Sequence, residues 1–316
     1  MNSPYFSVII PLYNRANIIS KAIVSVLNQT FPDFELIIVD DCSTDSSVDV
    51  VKKYQEQDSR IKLLENEINQ ERCISRNRGI EESLGKYICF LDSDDEFLSF
   101  HLQLIYDNIE SSEIKKALFF TNAFQTDNFE NLHERICPKL DRYNLFEYIL
   151  TYTFNPARVA IHSKILNEFQ FDEKIPGIED LDLWLHIASK YPIIQIENRT
   201  IVYNIHDESY TVSAPNRFKR ELSYFNYVFA KKKIKKLLPT TSKNRLLSMC
   251  HYNYAVALSN KFNPFKIHYH ILKALFLYPK GYNNNANKTM IIIFLDQTPF
   301  FGFVFKKSRK LLKGIN

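Results

Sequence analysis

Glycine is scarce in this sequence, with only 6 residues among 316, and no two glycines are spaced as a G-x-G-x-x-G or Walker A loop requires. This argues against a Rossmann dinucleotide-binding enzyme and against a P-loop nucleotidase. The five cysteines are odd in number and include no C-x-x-C pair. Neither a disulfide framework nor a zinc ribbon is therefore expected, and a reducing compartment suits the cysteines better.

Long apolar runs and an export signal are also missing. The sequence has no stretch of about 18 consecutive apolar residues, the length at which a membrane-spanning helix is expected. Residues 1–5 contain none of the basic side chains that begin a signal peptide. We therefore expect a cytoplasmic protein without a spanning helix.

Charge is distributed unevenly along the chain. Residues 1–200 hold 20 basic and 32 acidic residues, a net charge of −12, whereas residues 201–316 hold 20 basic and 4 acidic residues, a net charge of +16. Length alone predicts about two domains. The asymmetry indicates that two regions have different partners, and the basic region could face an anionic membrane or a nucleic acid.

Apolar segments alternate with amphipathic segments over the first 120 residues. The apolar segments predict short buried strands, and the amphipathic ones predict helices, one of which ends at Gly85. This alternation is typical of an α/β fold with a doubly wound, mostly parallel sheet flanked by helices. The predicted strands lie at 6–10, 35–39, 61–64, 87–91 and 117–120, and the predicted helices at 18–27, 44–54, 72–84 and 99–110.

The rest of the chain has a different pattern. From about 122 to 215 the pattern is mixed, with a predicted helix at 181–187 and short predicted strands at 193–196 and 200–206. From 216 onward the sequence is basic and aromatic, and we expect it to be mainly helical.

Aromatic and acidic side chains follow the predicted strands. Pro11 and Tyr13 come after the first strand, Asp40 and Asp41 after the second, and the acidic run 92–95 after the fourth. Open α/β sheets bind ligands outside the carboxyl ends of their strands, so these groups should share one edge. Crowded carboxylates repel one another, so we expect a divalent cation there. Hard oxygen ligands select Mg²⁺ or Mn²⁺, which also bind substrate phosphates.

Five sequence segments resemble the signature of family 2 glycosyltransferases. They are SVIIPLYN at 7–14, IIVDDCSTD at 37–45, SRNRGI at 75–80, GKYICFLDSDD at 85–95 and GIEDLDLW at 177–184. The resemblance implies a GT-A fold and an inverting enzyme that uses a nucleotide-diphospho-sugar, with a UDP-sugar favoured. It also implies a catalytic region at 1–215, with a nucleotide-binding half at 1–120 and an acceptor half at 121–215, followed by the basic region 216–316.

The resemblance further implies roles for residues in the donor site. Pro11 and Tyr13 match the loop against which the nucleotide base lies, and Tyr13 would stack on it. Asp41 matches the carboxylate that accepts a hydrogen bond from the base, with Asp40 beside it. Arg76 matches an arginine near the nucleotide and the diphosphate.

The resemblance assigns the remaining site residues to metal binding and catalysis. Asp92, Ser93 and Asp94 match the D-x-D motif, with Asp94 as the direct metal ligand and Asp92 on the ribose or reaching the metal through water. His206 lies where some relatives place a histidine near the diphosphate or metal. Asp180 matches the general base that removes the proton of the acceptor hydroxyl.

The sequence departs from the family pattern at two places and allows other interpretations. Glu71 stands where the family often has glycine, and Ser75 stands where it has alanine. Asp40 and Asp41 could instead cap the following helix, and Arg76 could be a solvated side chain. A non-catalytic nucleotide-binding or membrane-docking scaffold is the alternative function. A phosphatase of the haloacid-dehalogenase kind is disfavoured, because such phosphatases usually have the D-x-D motif at the first strand, whereas here it follows the fourth.

The C-terminal part of the basic region suggests a membrane surface. Apolar and aromatic runs at 290–295 and 300–305 precede a basic run at 306–313. This combination suits an interfacial segment on an anionic leaflet, which would bring the enzyme to a lipid-linked acceptor at the inner face of the plasma membrane. A nucleic-acid partner is not expected, because no basic-aromatic module coincides with the acidic edge.

Overall fold

The structure is a computed structural model that describes residues 3–126, 131–135, 137–152, 154–204, 217–230, 240–259 and 264–279. The chain divides into two compact units, Met1–Ser213 and Ala214–Asn316. The functional assignment of 1–120, 121–215 and 216–316 stays a prediction.

Strands of the described part of the first unit form one nine-stranded sheet with the order β3-β2-β1-β4-β8-β6-β9-β5, and β7 pairs with β6. The strands are β1 (Phe6–Leu12), β2 (Phe34–Asp40), β3 (Ile61–Glu65), β4 (Tyr87–Phe90), β5 (Glu96–Phe97), β6 (Leu118–Thr126), β7 (Leu132–Glu134), β8 (Val159–His162) and β9 (Ile193–Tyr203).

Helices connect these strands and cover the sheet. They are α1 (Ile19–Leu27), α2 (Ser47–Gln57), α3 (Glu71–Glu81), α4 (His101–Ser111), α5 (Leu145–Thr151), α6 (Ser163–Leu166) and α7 (Glu179–Ala188). The expected α/β class, with a mostly parallel sheet flanked by helices, is confirmed.

The first four strands form the parallel half of the sheet. β1 pairs in parallel with β2 and β4, and β2 pairs in parallel with β3. All seven residues of β1 are buried, as expected of a central strand that is covered on both faces. Because these strands run in the same direction, their carboxyl ends meet at one edge of the sheet. Beyond β4 the sheet becomes mixed, since β8 runs antiparallel to both β4 and β6.

Several element bounds differ from the sequence-based prediction, and two of these differences concern the packing around the sheet. The predicted helix 72–84 ends at Glu81, and Gly85 lies in the loop that leads to β4, where its N–H donates to Ser7 Oγ at 2.8 Å. A Cβ on Gly85 would lie 2.5 Å from the backbone nitrogen of Ser7, so close strand packing rather than helix termination requires this glycine. The two short strands expected at 193–196 and 200–206 are one strand over Ile193–Tyr203, whose irregular stretch is bridged by Asn122 Nδ2 donating to Glu197 O at 2.7 Å.

Gly79 sets the distance between α3 and the sheet. A Cβ at this position would meet Ile9 Cγ2 of β1 at 2.5 Å. Only glycine therefore lets α3 approach β1 this closely, and this approach brings the first turn of α3 near the carboxyl ends of the strands.

The described part of the second unit is helical, as expected. It contains α8 (Arg217–Ala230), α9 (Thr240–Ser259) and α10 (Pro264–Leu277). A small core joins α9 and α10, and Ser248 Oγ donates to Ala274 O at 2.9 Å. Within the ranges that the structure describes, no helix combines the length and the apolar character needed to span a bilayer.

Candidate active site

The loops after β1 and β2 are tied together by polar contacts. Asn14 N–H donates to Ser43 Oγ at 2.9 Å, and Thr44 N–H donates to Asn14 Oδ1 at 2.8 Å. Asn14 and Cys42 both have positive φ, of 50° and 63°, which turns each loop sharply at the end of its strand. Between these turns, Pro11 is buried in β1 while the Tyr13 side chain is 45% exposed at the mouth of the edge.

The two consecutive aspartates after β2 have different surroundings. Asp40 is buried, its Oδ2 accepts from Ser43 N–H at 3.0 Å, and its Oδ1 has no hydrogen-bond partner among the residues described. Asp41 Oδ1 accepts from Asn66 Nδ2 at 2.8 Å and from Gln70 N–H at 3.0 Å. Asp41 therefore binds the loop before α3.

Helix capping does not account for these aspartates. The cap position of α2 is Ser46, and no side chain hydrogen-bonds to the helix from there. The alternative in which Asp40 or Asp41 caps this helix is therefore wrong. Their side chains are oriented by the loop contacts described above.

Glu71, which replaces the family's frequent glycine, begins α3 with a φ of 71°. This left-handed conformation is strained for a residue with a Cβ. We predict that Glu71→Gly raises the free energy of unfolding by about 0.5–1 kcal/mol, because relief of the strain exceeds the added entropy of the unfolded chain. Urea denaturation would measure the change, with Glu71→Ala as the control that keeps the strain. Equal stability of the two variants would contradict the prediction.

Arg76 is the buried centre of the site. Its side chain is 2% exposed, Nη2 donates to Asp92 Oδ1 at 2.6 Å, and Nη1 donates to Glu179 Oε1 at 3.1 Å. Arg72 Nε also donates to Glu179 Oε1, at 2.9 Å. Arg76 thus joins the acidic end of β4 to the start of α7. The alternative of a solvated Arg76 is wrong.

The D-x-D segment forms the acidic wall of the edge. Asp92, Ser93 and Asp94 are half-buried and the next residue, Asp95, is fully buried. Burial, followed by the negative charges of Asp94 and Asp92, raises the pKa of Asp95 well above its usual value. Three carboxyl groups are therefore close together. Asn204 holds the segment in place, its N–H donating to Asp95 Oδ1 at 3.0 Å and its Nδ2 to Asp94 O at 2.9 Å.

Asp180 lies in the first turn of α7, beside this network. Its half-buried carboxyl accepts from Leu181 N–H at 2.7 Å. Burial and then the negative charge of Glu179 raise the pKa of Asp180 to about 6, partly offset by Arg76 and Arg72. The pKa of Glu179 is instead held below its usual value, because the two arginines outweigh its burial. Of these two adjacent carboxylates, Glu179 stays charged beside the arginines, whereas Asp180 can exchange a proton near neutral pH.

The acidic wall fits a divalent cation of the magnesium type. Across the described ranges, no three His, Cys, Asp or Glu side chains form a complete metal site. Mg²⁺ and Mn²⁺ use one or two carboxylates together with water and substrate phosphates, which Asp92 and Asp94 could supply. The buried Asp95 Oδ2, which has no hydrogen-bond partner among the described residues, is a further carboxyl oxygen beside them. The other candidate ligand, His206, lies outside the described residues.

Most of the predicted site residues are linked through the start of α3. Asn66 Nδ2 donates both to Asp41 and, at 3.2 Å, to Ser75 Oγ, next to Arg76. Arg76 then connects the D-x-D segment to the helix of Asp180. Tyr13 lies at the exposed rim of this network.

Four residues of the site were not predicted from the sequence: Glu179, Arg72, Asn66 and Asn204. Glu179 directly precedes the candidate base in the sequence. Its single available signal was its position beside Asp180. Asn66 lies in the loop before α3 and Asn204 directly follows β9. No motif or spacing in the sequence connects either residue with the site.

Relatives with curated names match parts of this chain that range from under a third to nearly three quarters of its length. The chain is 32% identical over 235 residues to an uncharacterized glycosyltransferase of Methanocaldococcus jannaschii, covering 72% of this chain and 79% of that one. It is 42% identical over 97 residues to the GalNAc(5)-diNAcBac-PP-undecaprenol beta-1,3-glucosyltransferase of Campylobacter jejuni, covering 30% of this chain and 31% of that one. The chain spans well under half the length of several other curated relatives.

Solved structures share the fold. TarS 1-349 of S. aureus in complex with UDP-GlcNAc has a TM-score of 0.64 at 18% identity, covering 96% of this chain and 92% of that chain. Mannosyltransferase PcManGT of Pyrobaculum calidifontis, in complex with GDP-Man and Mn²⁺, has a TM-score of 0.57 at 17% identity, covering 98% and 85%. The Glycosyl transferase family 2 model matches residues 7–172, more than half of the sequence. On these matches, the chain belongs to glycosyl transferase family 2.

Proposed function

We propose that this chain transfers a sugar from a nucleotide-diphospho-sugar to an acceptor hydroxyl, with inversion at the anomeric carbon. The observation that carries the proposal is the bridge that Arg76 makes between Asp92 and Glu179. It holds the acidic end of β4 next to the helix turn that carries Asp180. A carboxyl group with a pKa of about 6 therefore lies beside the wall that would bind the donor.

Asp180 acts as the general base of this reaction. Its carboxylate accepts the proton of the acceptor hydroxyl as the hydroxyl oxygen forms the new bond to the anomeric carbon. The bond from that carbon to the diphosphate oxygen breaks at the same time, and the electron pair leaves with the nucleoside diphosphate. Glu179 stays charged and paired with its two arginines, so it does not compete for the proton.

Asp94 and Asp92 would hold the divalent cation, Mg²⁺ or Mn²⁺. When bound, such an ion neutralises negative charge on the departing diphosphate. The mannosyltransferase of similar fold, which was crystallised with Mn²⁺, supports this assignment. Arg76 keeps the Asp92 carboxylate oriented towards the edge.

The donor nucleotide would lie across the carboxyl ends of β1 and β2. Tyr13 is exposed enough to stack on a base, and Asp41 would accept a hydrogen bond from it through Oδ2, since Oδ1 already accepts two bonds from the protein. Pro11 forms the floor of this position and Ser93 lies on the donor side of the acidic wall. The complex of TarS with UDP-GlcNAc supports uridine as the base.

The acceptor would be a growing surface glycan or a lipid-linked sugar at the inner face of the membrane. The name of the Campylobacter jejuni relative includes an undecaprenol-linked oligosaccharide, which supports a lipid-linked acceptor. The strongly basic region after residue 216 would hold the enzyme at an anionic leaflet.

A thermal-shift panel of UDP, GDP and dTDP, each with and without Mn²⁺, tests donor and metal binding together. We expect UDP with Mn²⁺ to raise the melting temperature most, and Asp94→Asn to abolish the metal-dependent part of that shift. Asp33→Asn, an exposed carboxylate just before β2, is the matched control and should keep the full shift. A full shift for the Asp94 variant would contradict the metal assignment, and no shift for any nucleotide would contradict the donor site.

A further inference from the structure

Four large apolar side chains are exposed on one face of α10. The exposed fractions are 88% for Phe265, 57% for Tyr269, 57% for Leu272 and 81% for Phe276. Successive positions in this set are four, three and four residues apart, so the side chains lie within about 60° of one another around the helix axis. They form a continuous stripe along the helix, which we call the α10 stripe.

The other face of α10 already has its packing partners. Ile267, Ile271 and Ala274 are fully buried in the small core that α10 shares with α9. The α10 stripe is therefore a second apolar face, separate from the face that packs against α9. A helix of this length that is apolar on two sides needs a second apolar surrounding for its outer face.

The surroundings of the stripe are basic. Lys266 and Lys273 are exposed and lie about 80–100° from Phe265 around the axis, along one edge of the stripe. Residues 240–279 contain five basic residues and no acidic residue. Residues 214–316 as a whole hold 20 basic and 2 acidic residues. The occupant of this face must therefore accept both apolar side chains and a dense positive charge.

We propose that the α10 stripe is a membrane-docking face that inserts into the surface of an anionic lipid bilayer. Phe265, Phe276 and their stripe neighbours would enter the boundary between headgroups and acyl chains, while Lys266 and Lys273 contact the anionic headgroups. The inference rests on the proposed function only for its purpose, which is to bring the active site to a lipid-linked acceptor.

An anionic bilayer fits the stripe better than two other occupants. A nucleic acid would satisfy the lysines but would leave Leu272 and Phe276 without an apolar surrounding. A second copy of the chain would bring two units of like charge together, which opposes pairing through this face. A bilayer surface supplies the acyl chains and the negative charge at the same place.

Co-sedimentation of the full chain with vesicles tests the proposal. The vesicles contain phosphatidylcholine with 30% phosphatidylglycerol, or phosphatidylcholine alone. We expect binding to the anionic vesicles, and a loss of at least ten-fold in the partition coefficient for Phe265→Gln/Phe276→Gln. Glutamine keeps the helix propensity of these positions. Leu84→Gln/Ile114→Gln is the matched control, since it removes two exposed apolar side chains of the first unit, and it should bind within two-fold of the unaltered chain.

A second pair of substitutions distinguishes a loss of vesicle binding from a loss of folding. Tyr269→Gln/Leu272→Gln alters the same stripe, and circular dichroism identifies any pair that loses helix. Lys266→Gln/Lys273→Gln should reduce the preference for anionic vesicles. Absence of vesicle binding by the unaltered chain, or unchanged binding by a folded stripe variant, would overturn the proposal. It would also be overturned if the stripe substitutions abolished binding to a single-stranded RNA or self-association in sedimentation velocity, while vesicle binding stayed unchanged.

Hydrolysis of a UDP-sugar in vesicle-free solution separates this proposal from the proposed function. The stripe variants should hydrolyse the donor at the rate of the unaltered chain, because their substitutions lie outside the active site. Vesicle binding without any donor hydrolysis would reject the transferase proposal and leave the docking face standing. Donor hydrolysis with no vesicle binding would reject the docking face and leave the transferase proposal standing.

Discussion

Asp180→Asn should lower the turnover of sugar transfer by about 10²–10⁴-fold while leaving donor binding intact, because the variant keeps the shape of the side chain and loses the group that accepts the proton. Transfer to an acceptor measures turnover, and the thermal shift with UDP and Mn²⁺ measures donor binding. Asp182→Asn is the matched control: it lies on the same helix, and its carboxyl is paired with His186. It should change turnover less than three-fold. Full turnover by Asp180→Asn would refute the assignment of the base.

Asp180→Asn should also remove a loss of stability that the unaltered chain undergoes as the pH rises. The pKa of Asp180 is raised in the folded chain from 3.8 to about 6, so the folded state binds this proton more tightly than the unfolded state. The resulting stabilisation is complete below about pH 4 and is lost as the pH rises through about 6. Asp180→Asn should therefore unfold at a higher temperature than the unaltered chain at pH 7.5, and the difference should shrink towards pH 4. A constant difference across this range would show that the carboxyl does not titrate there.

The dependence of activity on pH should show the same pKa of Asp180. In the unaltered chain, kcat/KM should rise with pH through an apparent pKa near 6, since the carboxylate form is required. Glu179→Gln should move this inflection to lower pH, because the negative charge that raises the pKa of Asp180 is removed while Arg72 and Arg76 remain. An inflection that stays in place would mean that the profile reports another group.

Arg76→Met should produce the largest loss of stability, about 3–5 kcal/mol, because it removes the buried positive charge that pairs with both Glu179 and Asp92. Glu179 is 3% exposed and would lose one of its two arginine partners, keeping the partly exposed Arg72 and the Gly177 N–H, while Asp92 would lose its 2.6 Å bond. Urea denaturation followed by circular dichroism measures the change. Loss of the contact between Arg76 and the Phe171 ring, at 5.4 Å, would add to it.

Two variants serve as controls for this result. Arg72→Met removes an arginine that also binds Glu179 but is 33% exposed, and it should lower the free energy of unfolding by no more than about 1 kcal/mol. Arg76→Met/Glu179→Gln removes both charges of the buried pair, so it should be more stable than Arg76→Met alone. Equal losses for the two single arginine variants would contradict a buried role for Arg76.

The positions of the parallel strands and of the acidic wall could be predicted from the sequence. A central strand that is covered on both faces is mainly apolar, so β1, β2 and β4 appear as apolar runs with few polar residues. Strands that run in the same direction place their carboxyl ends at one edge. Asp41 and Asp92 were therefore assigned to the same edge from their places in the chain alone.

The partners within the site could not be predicted in this way. A neighbouring Glu179 and Asp180 look alike in a sequence. Burial and the charge of Glu179 raise the pKa of Asp180, whereas Arg72 and Arg76, more than 100 residues away along the chain, hold the pKa of Glu179 down against its burial. The bounds of α3 also differ from the prediction, since the helix begins at the left-handed Glu71 and ends at Glu81.

The sequence by itself determined the family, the α/β class and the uneven charge of this protein, because these depend on local composition, on the period of apolar residues and on short motifs. Only the tertiary structure decided that Arg76 is buried between two carboxylates, and that α10 exposes a second apolar face. Both are properties of contact and exposure, which arise when distant segments pack and which no pattern along the chain encodes.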